Sequence, residues 1–218
     1  PDIVVIILDA ARRDHFSCYG YSRSTTPNID RFAGESLVFT NAFALVPNTR
    51  QSVPTMVTGL SFLNHQVTTK EAMLADEAIT LAEHLRGAGY RTACMTATPN
   101  NSRSLATDQG YDEFIELWTE LSKEESIDPH VLSARAVDWL ERQRTGPFHL
   151  QLHFVPPHAP YIPAEPYDLF TDPDYEGPFN GFPGSVLRRT EGRRDPSASD
   201  LEHVIARYDG NLRAADDA

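Results

Sequence analysis

"DIVVIILD" (Asp2–Asp9) is the stretch on which the fold turns. Ile3 to Leu8 form an unbroken apolar run, almost all β-branched, which predicts a strand buried on both faces of a parallel sheet rather than an alternating, half-solvated one. Asp9 ends the run, so it emerges at the carboxyl edge, where open α/β sheets hold ligands. Outward from this strand, "TTPNIDRFAGES" predicts a short helix with a Thr cap, Pro27 at the first helical position, and Ile29, Phe32 and Ala33 on one face. "SLVFTNAFAL" predicts a second strand, "EAITLAEHLRGAGY" a helix ended by glycines, "RTACMTAT" a strand, "DPHVLSARAVDWLERQR" a helix, and "PFHLQLHFV" a strand. This alternation predicts an α/β fold with a parallel or mixed sheet covered by helices. Residues 156–196, rich in Pro, Gly, Asp and aromatics without a period, read as a long Pro/Gly-rich surface loop of the kind that lies over sites. "SASDLEHVIARYDGNLRAADDA" recovers helical spacing through Leu201, Val204, Ile205, Tyr208, Leu212 and Ala215. There is no internal repeat, P-loop, GxGxxG or HExxH.

At 218 residues the chain is one large domain or a domain and a half, long enough to bury roughly 70% of its unfolded surface. Nineteen basic against 31 acidic residues give a net charge of -12, which argues against broad contact with nucleic-acid phosphates. Two distant cysteines, Cys18 and Cys94, form neither a disulfide framework nor a CxxC site. The longest apolar run is far short of the roughly 20 residues that span a bilayer, and no signal-peptide pattern precedes it, so a soluble chain without a membrane segment is expected. The chain starts at Pro1 and stops inside a helical pattern, so it is expected to be cut at both ends.

Three short stretches carry candidate chemistry. Asp9 has a dehydrated wall behind it and a cleft in front, a placement suited to a hard divalent cation; the plainer reading makes it the cap of the next turn. In "VPNTRQSVPTMVTG" (Val46–Gly59), Thr49 stands nine residues before Thr58-Gly59. Thr49 or Ser52 reads as a plain N-cap, or Thr49 as a nucleophile at a helix start whose exposed amides would hold a tetrahedral anion. His158, held between prolines in "PPHAPY", suits a substrate-contacting imidazole. His149 and His153 read equally as same-face strand residues or as functional ones. His15 reads as a packed turn residue, and His65, His84, His130 and His203 as surface or helix-face residues.

Taken together, these stretches resemble the sulfatase family of the alkaline-phosphatase superfamily. "PDIVVIILDAARRDHFSCYGYSRSTTPNIDRFAGESLVFTNAFA" is similar to the family's opening strand, metal-binding acid, "CYG" turn and "TPNIDRLA"-type helix, and "LAEHLRGAGYRTACMTA", "GYDEFIEL" and "FHLQLHFVPPHAPYIP" resemble later blocks in the family's order. The resemblance implies an alkaline-phosphatase-like fold with a central, mostly parallel sheet and helices on both faces. It makes 1–218 a sulfatase-like catalytic domain incomplete at its C-terminus, before an Asp-His metal motif. It implies a metal-dependent hydrolase of sulfate or phosphate esters with Thr49 as nucleophile, Asp9 and Thr49 on a divalent ion (calcium, zinc, manganese or magnesium), His158 at the transferred group or leaving oxygen, Arg50 at the transferred anion, and His153 and Ser52 toward the substrate. That substrate is a small-molecule, glycan or lipid-headgroup ester. The sequence departs from the formylglycine pattern C-x-P-S-R: the run is "TRQSV", with Thr49 at the nucleophile position and Val53 where the Arg stands. Ala10 follows Asp9 where the family has a second acid. "T-x-x-S-V-P-x-M" is similar to the nucleophile loop of phosphoethanolamine and glycerol-phosphate transferases, so a phospho-group transferase or phosphodiesterase is the alternative within the superfamily. A catalytically silent binding domain is the alternative of another class. Residues 1–218 by themselves are expected to lack stable metal binding and turnover.

Overall fold

A computed structural model of the chain describes residues 1–142, 145–182 and 195–218. The chain divides into two compact units, residues 1–7 with 41–154 and residues 8–40 with 155–218. The first unit carries most of a four-stranded sheet in the order β1-β4-β2-β3. Its strands are β1 (Ile3–Leu8), β2 (Arg91–Thr96), β3 (Glu113–Glu116) and β4 (Phe148–Phe154). β2 runs parallel to both β3 and β4. Among the described strands β1 lies at an edge, and its Val4 and Ile6 are 47% and 61% exposed. The other residues of β1 are half-buried, so the expected burial on both faces is not reached and fails most on the side of Val4 and Ile6.

The inner strands are buried on both faces, and the two faces differ chemically. Ala93, Met95, Leu150, Leu152 and Phe154 line one face. On the other, alternate residues are paired across the ladder as Thr92 with His149, Cys94 with Gln151 and Thr96 with His153, and all six are buried. Polar partners cover this second face. Tyr111 donates its hydroxyl to Gln151 Oε1 at 3.0 Å, and the Gln151 amide faces Cys94 Sγ at 3.8 Å. Asn101 reaches Cys94 Sγ at 3.7 Å and accepts the Thr107 hydroxyl at 2.9 Å. Burial pushes the Cys94 thiol far up, which keeps it protonated.

In chain order, the α-helices among the described residues are α1 (Pro27–Ala33), α2 (Thr49–Thr58), α3 (Phe62–His65), α4 (Leu81–Gly87), α5 (Lys123–Ile127), α6 (Pro129–Arg142) and α7 (Ala198–Asp217). α4 begins with a reciprocal capping box between Thr80 and Glu83. α6 buries Leu132, Ala136 and Trp139. α2 places Val53 and Val57 in a small core with Val67 and Leu74.

Several expectations are corrected. "SLVFTNAFAL" forms no strand: Leu37 and Phe43 are 82% and 85% exposed, and no described strand pairs with the segment. Apolar alternation without a ladder partner leaves the backbone groups to water. β3 lies in "DEFIEL", which the alternation alone did not single out. Thr26 occupies the N-cap position of α1 without capping it. Its hydroxyl instead accepts the Ser17 N–H and donates to Asp30. Asp216 of α7 does the capping, each carboxylate oxygen accepting one backbone N–H, from Asn28 and Ile29, at 2.8 Å. Phe32 is exposed. His65, expected as a surface or helix-face residue, lies in α3 and is buried; Val67 N–H donates to its Nδ1 and its Nε2 meets Thr55 Oγ1, both at 3.1 Å.

The second unit is organised on α7. Its buried side is not the apolar stripe that the spacing predicted: Leu201 and Ile205 are exposed, while Asp209, Asn211 and Asp216 are buried beside Tyr208 and Leu212. Asn211 donates to the Pro160 carbonyl at 2.9 Å and Arg207 Nε to the Tyr161 carbonyl at 2.7 Å, so the segment after β4 is strapped along the helix. Gly210 permits the approach, since a Cβ there would stand 2.6 Å from the Tyr167 carbonyl oxygen. The expected 156–196 loop has no helix or strand in its described part up to residue 182, and 183–194 lie outside the described residues.

Candidate active site

Of the six residues expected at the site, Asp9 and His158 belong to the second unit, and Thr49, Arg50, Ser52 and His153 to the first.

The "T…TG" spacing has a direct structural meaning. α2 is ten residues long; Thr49 is its first residue, Thr58 its last, and Gly59 closes it at φ 72°, a left-handed cap that glycine takes without strain. The N-cap is Asn48, whose side chain accepts the Arg50 N–H at 3.1 Å. Neither Thr49 nor Ser52 has that role. Because the helix starts this early, Pro54 sits in its second turn rather than its first. The Asn48 carbonyl also takes the Gln51 and Ser52 amides, so the amides of Arg50, Gln51 and Ser52 are all engaged by Asn48. The expected reserve of exposed amides for an anion is correspondingly smaller. Ser52 Oγ donates to the Val46 carbonyl at 2.9 Å, and the Arg50 guanidinium donates to the carbonyls of Thr69 and Lys70.

His153 is fully buried on the polar face of β4, with Nδ1 3.4 Å from the Asn101 amide nitrogen. His149, two residues earlier on that face, stacks on Tyr111 at 5.8 Å, and burial lowers its basicity, an effect that the Ile3 backbone partly opposes. His158 is exposed. Its Nδ1 donates to the Ala159 carbonyl at 2.7 Å, which fixes the tautomer and leaves Nε2 as the lone-pair nitrogen of the neutral ring.

Asp9 is half-buried and immediately follows β1. The stretch after it is held by Asp209 of α7, whose carboxylate has His15 Nδ1 at 2.6 Å, Tyr21 hydroxyl at 2.7 Å and Arg23 Nη1 at 2.7 Å. The packed reading of His15 agrees with its ring contacts to Tyr21 and Tyr208. Desolvation, followed by the bond to Asp209, pushes the Tyr21 phenol up to about 12. Sequence reasoning missed Asn48, Tyr208, Asp209 and Asp216; the visible signal was acid and amide residues recurring inside the helical spacing of "RYDGNLRAADD". Among the described residues, no group of three or more His, Cys, Asp or Glu could hold a metal ion. These residues alone therefore do not fit a complete metal site.

A parallel sheet with helices makes this an α/β chain, and its likeness to solved structures makes the fold alkaline-phosphatase-like. It superposes on the phosphonate monoester hydrolase of Agrobacterium radiobacter with a TM-score of 0.77 at 22% identity, covering 100% of this chain and 57% of that one. The chain belongs to the sulfatase family, which it matches over residues 1–218. It is 26% identical over 207 residues to the N-acetylglucosamine-6-O-sulfatase of Bacteroides thetaiotaomicron, across 81% of this chain and 36% of that protein. The C-terminal periplasmic domain of EcEptC from Escherichia coli, in complex with Zn, shares the fold with a TM-score of 0.71 at 18% identity, covering 99% of this chain and 56% of that one. The chain thus spans less than two thirds of the length of each of these proteins. No described helix is long and apolar enough to cross a membrane.

Proposed function

We propose that the protein hydrolyses sulfate esters, with the Thr49 hydroxyl as the attacking oxygen. The family match over the whole chain carries this reading, and the position of Thr49 as the first helical residue, with capping left to Asn48, supports it. Thr49 Oγ1 gives its proton to solvent as it attacks sulfur in line, the bond from sulfur to the leaving oxygen breaks and that oxygen takes up a proton, and water then attacks sulfur, breaking its bond to Thr49 Oγ1 and releasing sulfate with the hydroxyl restored. His158, in its protonated form with Nδ1–H on the Ala159 carbonyl, presents Nε2–H to the leaving oxygen, Arg50 serves the transferred group, and Ser52 and His153 serve the substrate side. A divalent cation at Asp9 and Thr49 is proposed for the whole protein; the zinc held by the EcEptC domain supports such an ion in this fold. Glycan esters are the proposed substrate class, by analogy with the N-acetylglucosamine-6-O-sulfatase. The "T-x-x-S-V-P-x-M" run and the phosphonate monoester hydrolase likeness favour one second reading, a phosphoester or phosphonate substrate on the same Thr49.

The test is turnover by the whole protein of 4-nitrophenyl sulfate beside an aryl phosphodiester and an aryl phosphonate monoester. Thr49→Ala should lower kcat by about a thousandfold or more, as loss of a nucleophile does. The preferred ester separates the two readings. A wild-type rate in Thr49→Ala would refute both, and an absence of turnover on every ester would favour a silent binding domain.

A further inference from the structure

The turn that follows β1 stands in a conformation its residues disfavour. Ala11 N–H closes it on the Leu8 carbonyl at 3.4 Å, with Asp9 and Ala10 as its central pair, and Ala10 has φ 58°. A side chain with a Cβ in that left-handed region costs about 1 kcal/mol or more, which is why glycine or asparagine usually stands there. Such a conformation persists only where its surroundings over-determine it.

One side chain of α7 provides that constraint. The Tyr208 hydroxyl donates to the Ala10 carbonyl at 3.1 Å and accepts the Arg12 N–H at 2.8 Å, bridging the two residues that flank Ala11. Its ring is buried and meets His15 edge-on at 4.9 Å and Tyr161 at 5.6 Å. The next residue, Asp209, holds His15, Tyr21 and Arg23. Burial keeps the Tyr208 phenol protonated across the neutral range, so it remains a donor. Adjacent residues of α7 thereby fix both the backbone of the turn and the side chains that continue from it.

We propose that Tyr208 is a positioning residue: its hydroxyl holds Ala10 left-handed, and that turn sets the direction in which the Asp9 carboxylate leaves β1. The inference rests on the role given to Asp9 in the proposed reaction. Ring packing and hydroxyl bridging separate cleanly, because Tyr208→Phe keeps the ring and loses only the bridge.

The experiment is a double-mutant cycle in the whole protein, read on kcat for the preferred ester and on amide hydrogen exchange at Ala11 and Arg12. Tyr208→Phe should lower kcat by about tenfold with KM nearly unchanged, a loss of the size that slight misplacement of a reacting group produces. In an Asp9→Asn background the same change should cost less than about twofold, because the group it aims is already disabled. Ala10→Gly, which adopts the left-handed conformation unaided, should restore part of the lost rate in Tyr208→Phe. Exchange at Arg12 should quicken in Tyr208→Phe whether or not turnover is measured. A full tenfold loss in the Asp9→Asn background, or unchanged exchange at Arg12, would overturn the positioning role while leaving the role of Asp9 intact. Wild-type turnover in Asp9→Asn would instead remove the role of Asp9, and this inference with it.

Discussion

Removing the Asp216 carboxylate tests whether α7 supplies the cap that α1 lacks. α1 is seven residues long, too short to persist on its own propensity, and two of its first amides end on Asp216 at 2.8 Å each. Asn28 Nδ2 also donates to the Asp216 carbonyl at 3.1 Å, so the two segments are joined at a third point that a side-chain substitution leaves in place. Thr26 cannot take over, because its hydroxyl is committed to Ser17 and Asp30. Hydrogen bonds to a charged acceptor contribute about 1.5–3 kcal/mol each, and desolvation of the carboxylate offsets part of the gain. Asp216→Ala should therefore lose about 2–4 kcal/mol, and Asp216→Asn, which keeps one acceptor, roughly half of that. Urea unfolding gives the total, and hydrogen exchange at Asn28 and Ile29 localises it. A loss below about 0.5 kcal/mol, the scatter of an ordinary surface substitution, with unchanged exchange at both amides would refute the shared cap.

Two further outcomes follow from burial. Burial lowers the basicity of His149, so below its ordinary value of 6.5 the unfolded chain binds a proton that the folded one resists. Stability should be full above that pH and fall on acidification, by up to about 1.4 kcal/mol per pH unit. The difference in urea midpoint between pH 7.5 and pH 5.5 should narrow in His149→Gln, and an unchanged difference would remove His149 as a cause. Gly210→Ala puts a Cβ 2.6 Å from the Tyr167 carbonyl oxygen and 2.8 Å from Pro163. The clash should outweigh the roughly 1 kcal/mol of helix propensity that alanine adds and lower the melting temperature; a rise would show that residues 163–167 yield easily.

The parts of the fold that were legible share one property: their signal is local. β1, β2 and β4 announce themselves as apolar or alternating runs, and α4 and α6 as helical stretches, the first ended by glycines. "SLVFTNAFAL" misled because a strand is defined by its partner, which no window of ten residues contains. α7 was found but its face was misread, since the periodicity counts apolar residues while the helix buries Asp209 and Asp216 against donors up to 194 positions away, and Asn211 against the Pro160 carbonyl. At the candidate site, Thr49 and Gly59 were noticed for their spacing, which proves to be the length of α2. Asn48 was overlooked because Thr49 and Ser52 beside it are also capping residues by type. The strain at Ala10 is invisible in sequence, because alanine carries no mark of a left-handed backbone.

The two-toned interior of the sheet has a consequence for how the chain finds its alignment. In a parallel strand clothed in valine and leucine on both sides, sliding by one residue exchanges one greasy surface for another, and little opposes the error. Here the same slip of β4 would carry His149, Gln151 and His153 over to the side of Ala93 and Met95, and draw Leu150 and Leu152 beneath Asn101 and Tyr111. Each amide or hydroxyl stranded this way would cost about 1–3 kcal/mol. The interior thus works as a keyed joint whose mismatched positions are expensive in both directions, and changes at Cys94, Asn101 or Gln151 should be better tolerated in matched pairs than one at a time.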